Sequence, residues 1–156
     1  MKKFMILFAL CLGFILFGAV SSQAAPAYIP ANQAYSNSLI TITNPPAFST
    51  TTQKGVVFCG YGQKDTKLYF YEYNSANNTY MPILSNGDQV SVTINSSGVF
   101  WKKIDFLSGY HKVVVYAESG SKAQTVKREI NVIGSDLADK IKGFTVNVNG
   151  LVKKGI

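Results

Sequence analysis

Cysteine is nearly absent from this chain: its 156 residues hold only Cys11 and Cys59. Cys11 lies inside an apolar N-terminal run, so the part beyond that run has a single thiol and forms no internal disulfide. Packing alone must hold the fold. Histidine occurs once, at His111, which excludes a multi-histidine metal site. The eight acids, Asp65, Glu72, Asp88, Asp105, Glu118, Glu129, Asp136 and Asp139, follow no calcium-loop spacing, and no phosphate-cradling glycine motif is present. A catalytic nucleophile needs a base against a Ser or Cys and a third group that orients the base. No nucleophile elbow supplies such a site, and Cys59 has no base near it in sequence. Two of the acids can meet in space as a glycosidase pair, but nothing in their spacing selects which. No stretch before residue 135 has a helical period. The expectation is a protein that is not an enzyme and carries no cofactor and no metal.

What is present begins with an export signal. Lys2 and Lys3 form a charged start, residues 4–20 are uninterruptedly apolar, and Ser22-Gln23-Ala24 offers the small residues that a signal peptidase reads. Cleavage after Ala24 gives a secreted, extracellular or cell-surface protein. The apolar run is nearly long enough to span a bilayer, so a retained leader is the one route to a membrane anchor. Lys2 and Lys3 leave with the leader, and the net charge falls from +7 to +5. The remaining bases occur as scattered pairs, Lys102-Lys103, Lys127-Arg128 and Lys153-Lys154. This pattern suits a solvated surface and argues against a nucleic-acid partner.

After the leader the chain divides into an extended arm (25–37), a strand-rich body (38–133) and an extension (134–156). The arm is rich in Ala, Pro, Asn and Tyr, without a period. In the body, Ile40 and Ile42 alternate with threonines until Asn44-Pro45-Pro46, where proline cannot donate to a ladder. Residues 49–54 read as a polar link. Strands follow over 55–61, 66–73, 80–84 and 90–94, separated by turn residues that include Ser85-Asn86-Gly87-Asp88. Gly60 and Gly62 mark a bend or a close backbone approach. The last body strand covers 123–133. In the extension, Ser135 caps a short helix that Gly143 stops, and Phe144, Val146 and Val148 then alternate as a strand.

Residues 98–117, GVFWKKIDFLSGYHKVVVYA, organise the body. Phe100, Ile104 and Phe106 share one parity, Ser108 and Gly109 turn the chain, and Val113, Val115 and Ala117 resume the alternation. Two long strands pairing with each other across that turn are the natural reading. Gly98, Phe100, Ile104, Phe106, Gly109, His111, Val113, Val115 and Ala117 fill in order a pattern that resembles bacterial immunoglobulin-like domains of secreted and surface proteins. The resemblance covers residues 39–133. It implies an all-β, immunoglobulin-like β-sandwich of seven to eight antiparallel strands, here with a short C-terminal helix and strand extension. It also implies that His111 bonds the nearby turn backbone. Antibody-type domains tie their second and sixth strands by a disulfide; here Cys59 falls on the second, as a small packed side chain, and Val113 and Val115 stand on the sixth.

The sequence also offers candidate surfaces. In TKLYFYEY, Leu68 and Phe70 face the core, which sends Tyr69, Tyr71 and Tyr73 to the opposite face. Val114 and Tyr116 join them from the neighbouring strand to make an exposed aromatic strip. Amphipathic rings of this kind stack on sugars or bury against a protein partner, and the same rings also pack across strands within a sheet. Trp101 has outward parity and belongs to a second patch or lies under the extension. Phe144, Val146 and Val148 either fold back on the parent sheet or add to the open edge of another copy. The expectation is an exported binding or assembly module, with a protein or a second copy of itself as partner, forming oligomers or fibres through its terminal segments. The alternative is a carbohydrate-binding module that holds cell-wall or other polysaccharide on the tyrosine strip.

Overall fold

A computed structural model describes residues 25–134. The expected export signal, the helix and strand expected in the extension, and the expected assembly residues Phe144, Val146 and Val148 lie outside the described residues.

Twelve strands make up the described chain: β1 (Ile29–Pro30), β2 (Ile40–Asn44), β3 (Phe48–Thr51), β4 (Gly55–Gly62), β5 (Lys67–Asn74), β6 (Thr79–Pro82), β7 (Leu84–Ser85), β8 (Asp88–Gln89), β9 (Ser91–Thr93), β10 (Val99–Asp105), β11 (Gly109–Ser119) and β12 (Lys122–Val132). The larger sheet runs β1-β6-β5-β11-β12-β3, with β9 also paired to β5. A smaller sheet, β10-β4-β2, faces it. The two form an immunoglobulin-like sandwich, and no helix occurs among the described residues. Turn chemistry follows the sequence: Asn86 and Gly87 both take positive φ, 55° and 91°, between β7 and β8, as a two-residue hairpin loop requires.

The core lies between the sheets. Phe58 and Val56 from β4, Phe100 and Ile104 from β10, and Ile40 and Ile42 from β2 meet Leu68 and Phe70 from β5, Val113, Val115 and Ala117 from β11, and Ile130 and Val132 from β12. Phe58 packs edge-on against Phe70 with ring centroids 5.3 Å apart. Gly60 is small by necessity, because a Cβ there would collide with the Thr41 carbonyl oxygen of β2.

The expected hairpin over 98–117 is corrected. β10 pairs with β4 in the small sheet, whereas β11 pairs with β5 and β12 in the large one. The link at 106–108 therefore crosses between sheets. Their shared parity arises because the two strands bury the same face from opposite sides of one core. A second correction concerns 49–54: part of it is β3, which pairs in parallel with β12 through Glu129↔Phe48 and Val132↔Thr51. The sandwich is thus antiparallel but for this one pair. Cys59 is also corrected: it is half-buried with a free thiol, and Phe58 beside it fills the core position.

Two polar side chains close the side of the sandwich where β2 and β12 run on different sheets. The Gln124 amide oxygen accepts from the backbone N–H groups of Leu39 and Ile40 at 2.6 and 2.7 Å, and its nitrogen donates to the Ile40 carbonyl at 3.1 Å. Arg128 donates to the carbonyls of Pro45 at 2.7 Å and Ile42 at 3.0 Å, where the chain passes from β2 to β3. Burial holds its pKa below the usual arginine value.

Candidate functional site

The outer face of the large sheet collects the five residues of the expected tyrosine strip. Val114 stands opposite Tyr71, and Tyr116 opposite Tyr69, in the β11–β5 register, with Tyr73 one pair further along β5 opposite Tyr80. The strip exists, but as an exposed surface it is corrected. Tyr71, Val114 and Tyr116 are buried, Tyr71 completely, and Tyr69 and Tyr73 are half-buried. The cover is the chain's own arm.

Residues 25–37 run across this face and add β1 to the edge of β6, with Ile29↔Tyr80 and Pro30↔Thr79 in register. Ile29, 1 % exposed, joins Tyr71, Tyr80, Val114 and Tyr116 in a second apolar cluster separate from the sandwich core. Tyr35 sets its ring edge-on to Tyr116 at 5.4 Å. The Tyr71 hydroxyl donates to the Pro26 carbonyl at 2.7 Å, and Lys127 Nζ donates to the Ala31 carbonyl at 3.3 Å. Burial pushes Tyr71 up to about 12, and it also raises Tyr69, Tyr80 and Tyr116 above tyrosine's ordinary value. The Glu118 carboxylate adds to the rise at Tyr69 and Tyr116, since a nearby negative charge disfavours a phenolate. Tyr69 donates to Glu118 Oε1 at 3.3 Å, while Glu118 Oε2 and Gln89 Nε2 are buried without a partner.

The open aromatic surface is on the other side of the molecule. Residues of β4 and β10 that point away from the core place Trp101 opposite Cys59 and Val99 opposite Tyr61. Trp101 is 71 % exposed and Tyr61 55 %, with Val99 and Val57 exposed beside them. Trp101 and Tyr61 are diagonal neighbours on a pleated sheet, within reach of each other as long aromatic side chains. Thr41, Lys103 and Asp105 are exposed at the rim. Parity in GVVFCGYG and GVFWKKID carries this face, though with fewer aromatics in a row than the tyrosines of β5.

His111 closes one end of the core. Its Nε2 lies 2.8 Å from the Leu107 carbonyl, the turn contact that the resemblance implied, and its Nδ1 lies 2.5 Å from Glu72 Oε1. The ring also packs on Phe106 with centroids 4.9 Å apart. Both nitrogens are thus engaged in holding the link between β10 and β11. Among the described residues no group of three His, Cys, Asp or Glu side chains gathers in metal-binding proximity. A shallow concavity of about 560 Å³ between β3 and β4, lined by Asn44, Phe48, Ser49 and Val57 among others, carries no ionisable side chain.

No protein-family model matches the chain, and no curated protein matches it in sequence.

Proposed function

We propose that this is an exported bacterial immunoglobulin-like module that works by binding or assembly, without catalysis, at the cell surface or in extracellular structures. The observation that supports the reading best is the distribution of apolar surface. The sandwich core closes on its own residues, yet both outer faces carry aromatic clusters. One is filled by a terminal segment; the other, around Trp101 and Tyr61, is open. Apolar area beyond what a core needs marks interaction surfaces. Self-association through terminal segments, the arm and the segment that holds Phe144, Val146 and Val148, is the leading form of that interaction. Light scattering of the exported protein over rising concentration tests it. Growing oligomers that shrink on truncation after Ile133 are expected, and a strict monomer with or without the extension refutes self-assembly.

The exposed Trp101 and Tyr61 pair favours a second reading, a carbohydrate-binding module, now on the small sheet instead of the covered tyrosine strip. Flat aromatic faces stack on sugar rings. Retention on insoluble polysaccharide that disappears in Trp101→Ala plus Tyr61→Ala is its expected outcome, and retention unchanged by that pair removes the surface from consideration.

A further inference from the structure

We infer that the tyrosine groove of one molecule accepts the arm of a second copy, so that residues 25–37 link molecules by strand exchange. This rests on the assembly reading and names its partner and its contact. The arm behaves as a ligand of the sandwich: none of its residues enters the core between the sheets, whose first member is Leu39. All its apolar anchoring is made on the outer face, through Ile29, Ala31 and Tyr35. Its link to the body, Ser36-Asn37-Ser38, is polar and exposed, and is held to β12 only by a Ser36–Gln124 bridge and the Asn37 bonds to the Ala123 carbonyl. When the link gives up its Ser36 and Asn37 bonds to β12 and extends, the contacts of residues 25–35 are available, unchanged, between molecules.

The groove has the features of a strand-addition site. The edge of β6 supplies backbone pairing, Ala31 donating to the Asn78 carbonyl at 3.3 Å, and an aromatic pocket takes Ile29 as the anchoring side chain. Pro30 sits at the pair with Thr79 that needs no N–H from it. A molecule whose arm has left to a neighbour presents an empty groove to a third, so exchange propagates in one direction. Exchange therefore yields chains unless two molecules trade arms reciprocally and close as a dimer.

The test uses two variants of the exported protein, both carrying Cys59→Ser, one with Pro30→Cys and the other with Thr79→Cys. A non-hydrogen-bonded antiparallel pair has Cα atoms about 4.5 Å apart, within disulfide range. Both substitutions in one molecule should first close an internal bridge, which verifies that the variants fold and seat the arm. Mixing the single variants at high concentration should then give a disulfide-linked heterodimer on a non-reducing gel, reduced at least tenfold when the arm donor also carries Ile29→Asp. Oligomers by light scattering without that heterodimer overturn arm exchange and leave assembly through another surface standing. Monomers throughout overturn both, and a heterodimer undiminished by Ile29→Asp reports chance collision and overturns the exchange.

Discussion

A single histidine carries more of this structure than its count suggests. His111 spans the Leu107 carbonyl and the Glu72 carboxylate and packs on Phe106, so truncation removes two hydrogen bonds and opens space at the end of the core. His111→Ala is expected to cost about 1–3 kcal/mol, at about 0.5–1.5 kcal/mol for each of the two hydrogen bonds lost. His111→Asn should cost less, because an amide can still donate to the turn. Urea unfolding of both variants checks this, and equal losses would show that the turn bond contributes nothing. The tyrosines give a second residue-scale expectation. Tyr71 is pushed up to about 12 by burial, whereas in the unfolded chain it ionises near its ordinary value of about 10. Between those values the unfolded chain has given up a proton that the folded chain keeps. Its contribution is therefore whole below about pH 10 and is lost as pH rises toward about 12. Tyr69, Tyr80 and Tyr116, shifted the same way, act in the same direction. Urea midpoints should fall over that range, and less steeply in Tyr71→Phe; a parallel fall in wild type and Tyr71→Phe would count against the assignment.

At the scale of strands, alternation tells which side of a strand is buried but not which sheet the strand joins. Phe100, Ile104, Val113 and Val115 were legible as inward residues, and all four are buried. Their assignment to one hairpin failed because a hairpin and two facing strands write the same pattern. β3 leaves no trace in the pattern for a related reason: Phe48, Ser49, Thr50 and Thr51 alternate in burial without alternating in polarity. The arm was legible as extended chain, yet its seat was not, since Ile29 is one apolar residue among Pro, Ala and Asn and gains its meaning only from the groove. The seat has a measurable consequence. Because the arm adds nothing to the inter-sheet core, deleting residues 25–37 from the chain that begins at Ala25 should leave β5 and β11 backbone amides slow to exchange while those of β6 speed up. Loss of protection in Phe70 and Val115 as well would mean that the arm is integral to the fold.

At the scale of the whole, the described residues form two facing sheets, with the small β7-β8 hairpin beside them, held together by side chains. The only thiol among the described residues, Cys59, points out of the small sheet beside Trp101, and no covalent bond crosses the interior. In place of the disulfide that antibody-type domains set between these strands stand Phe58 on one sheet and Val113 and Val115 on the other, all fully buried. The polar bonds of Gln124 and Arg128 add to this along the side of the sandwich. Aromatic and branched side chains bury enough area to do this unaided, a fully covered residue of that size contributing about 1.5–3 kcal/mol. The unfolding midpoint of the chain from Ala25 onward in urea should accordingly be the same with and without excess reductant, and Cys59→Ser, at a half-buried position outside the core, should change stability by no more than about 1 kcal/mol. Phe58→Ala should cost about 3–5 kcal/mol under both conditions. A midpoint that drops on reduction would reveal a covalent tie, and a mild Phe58→Ala would place the load between the sheets elsewhere than in this layer.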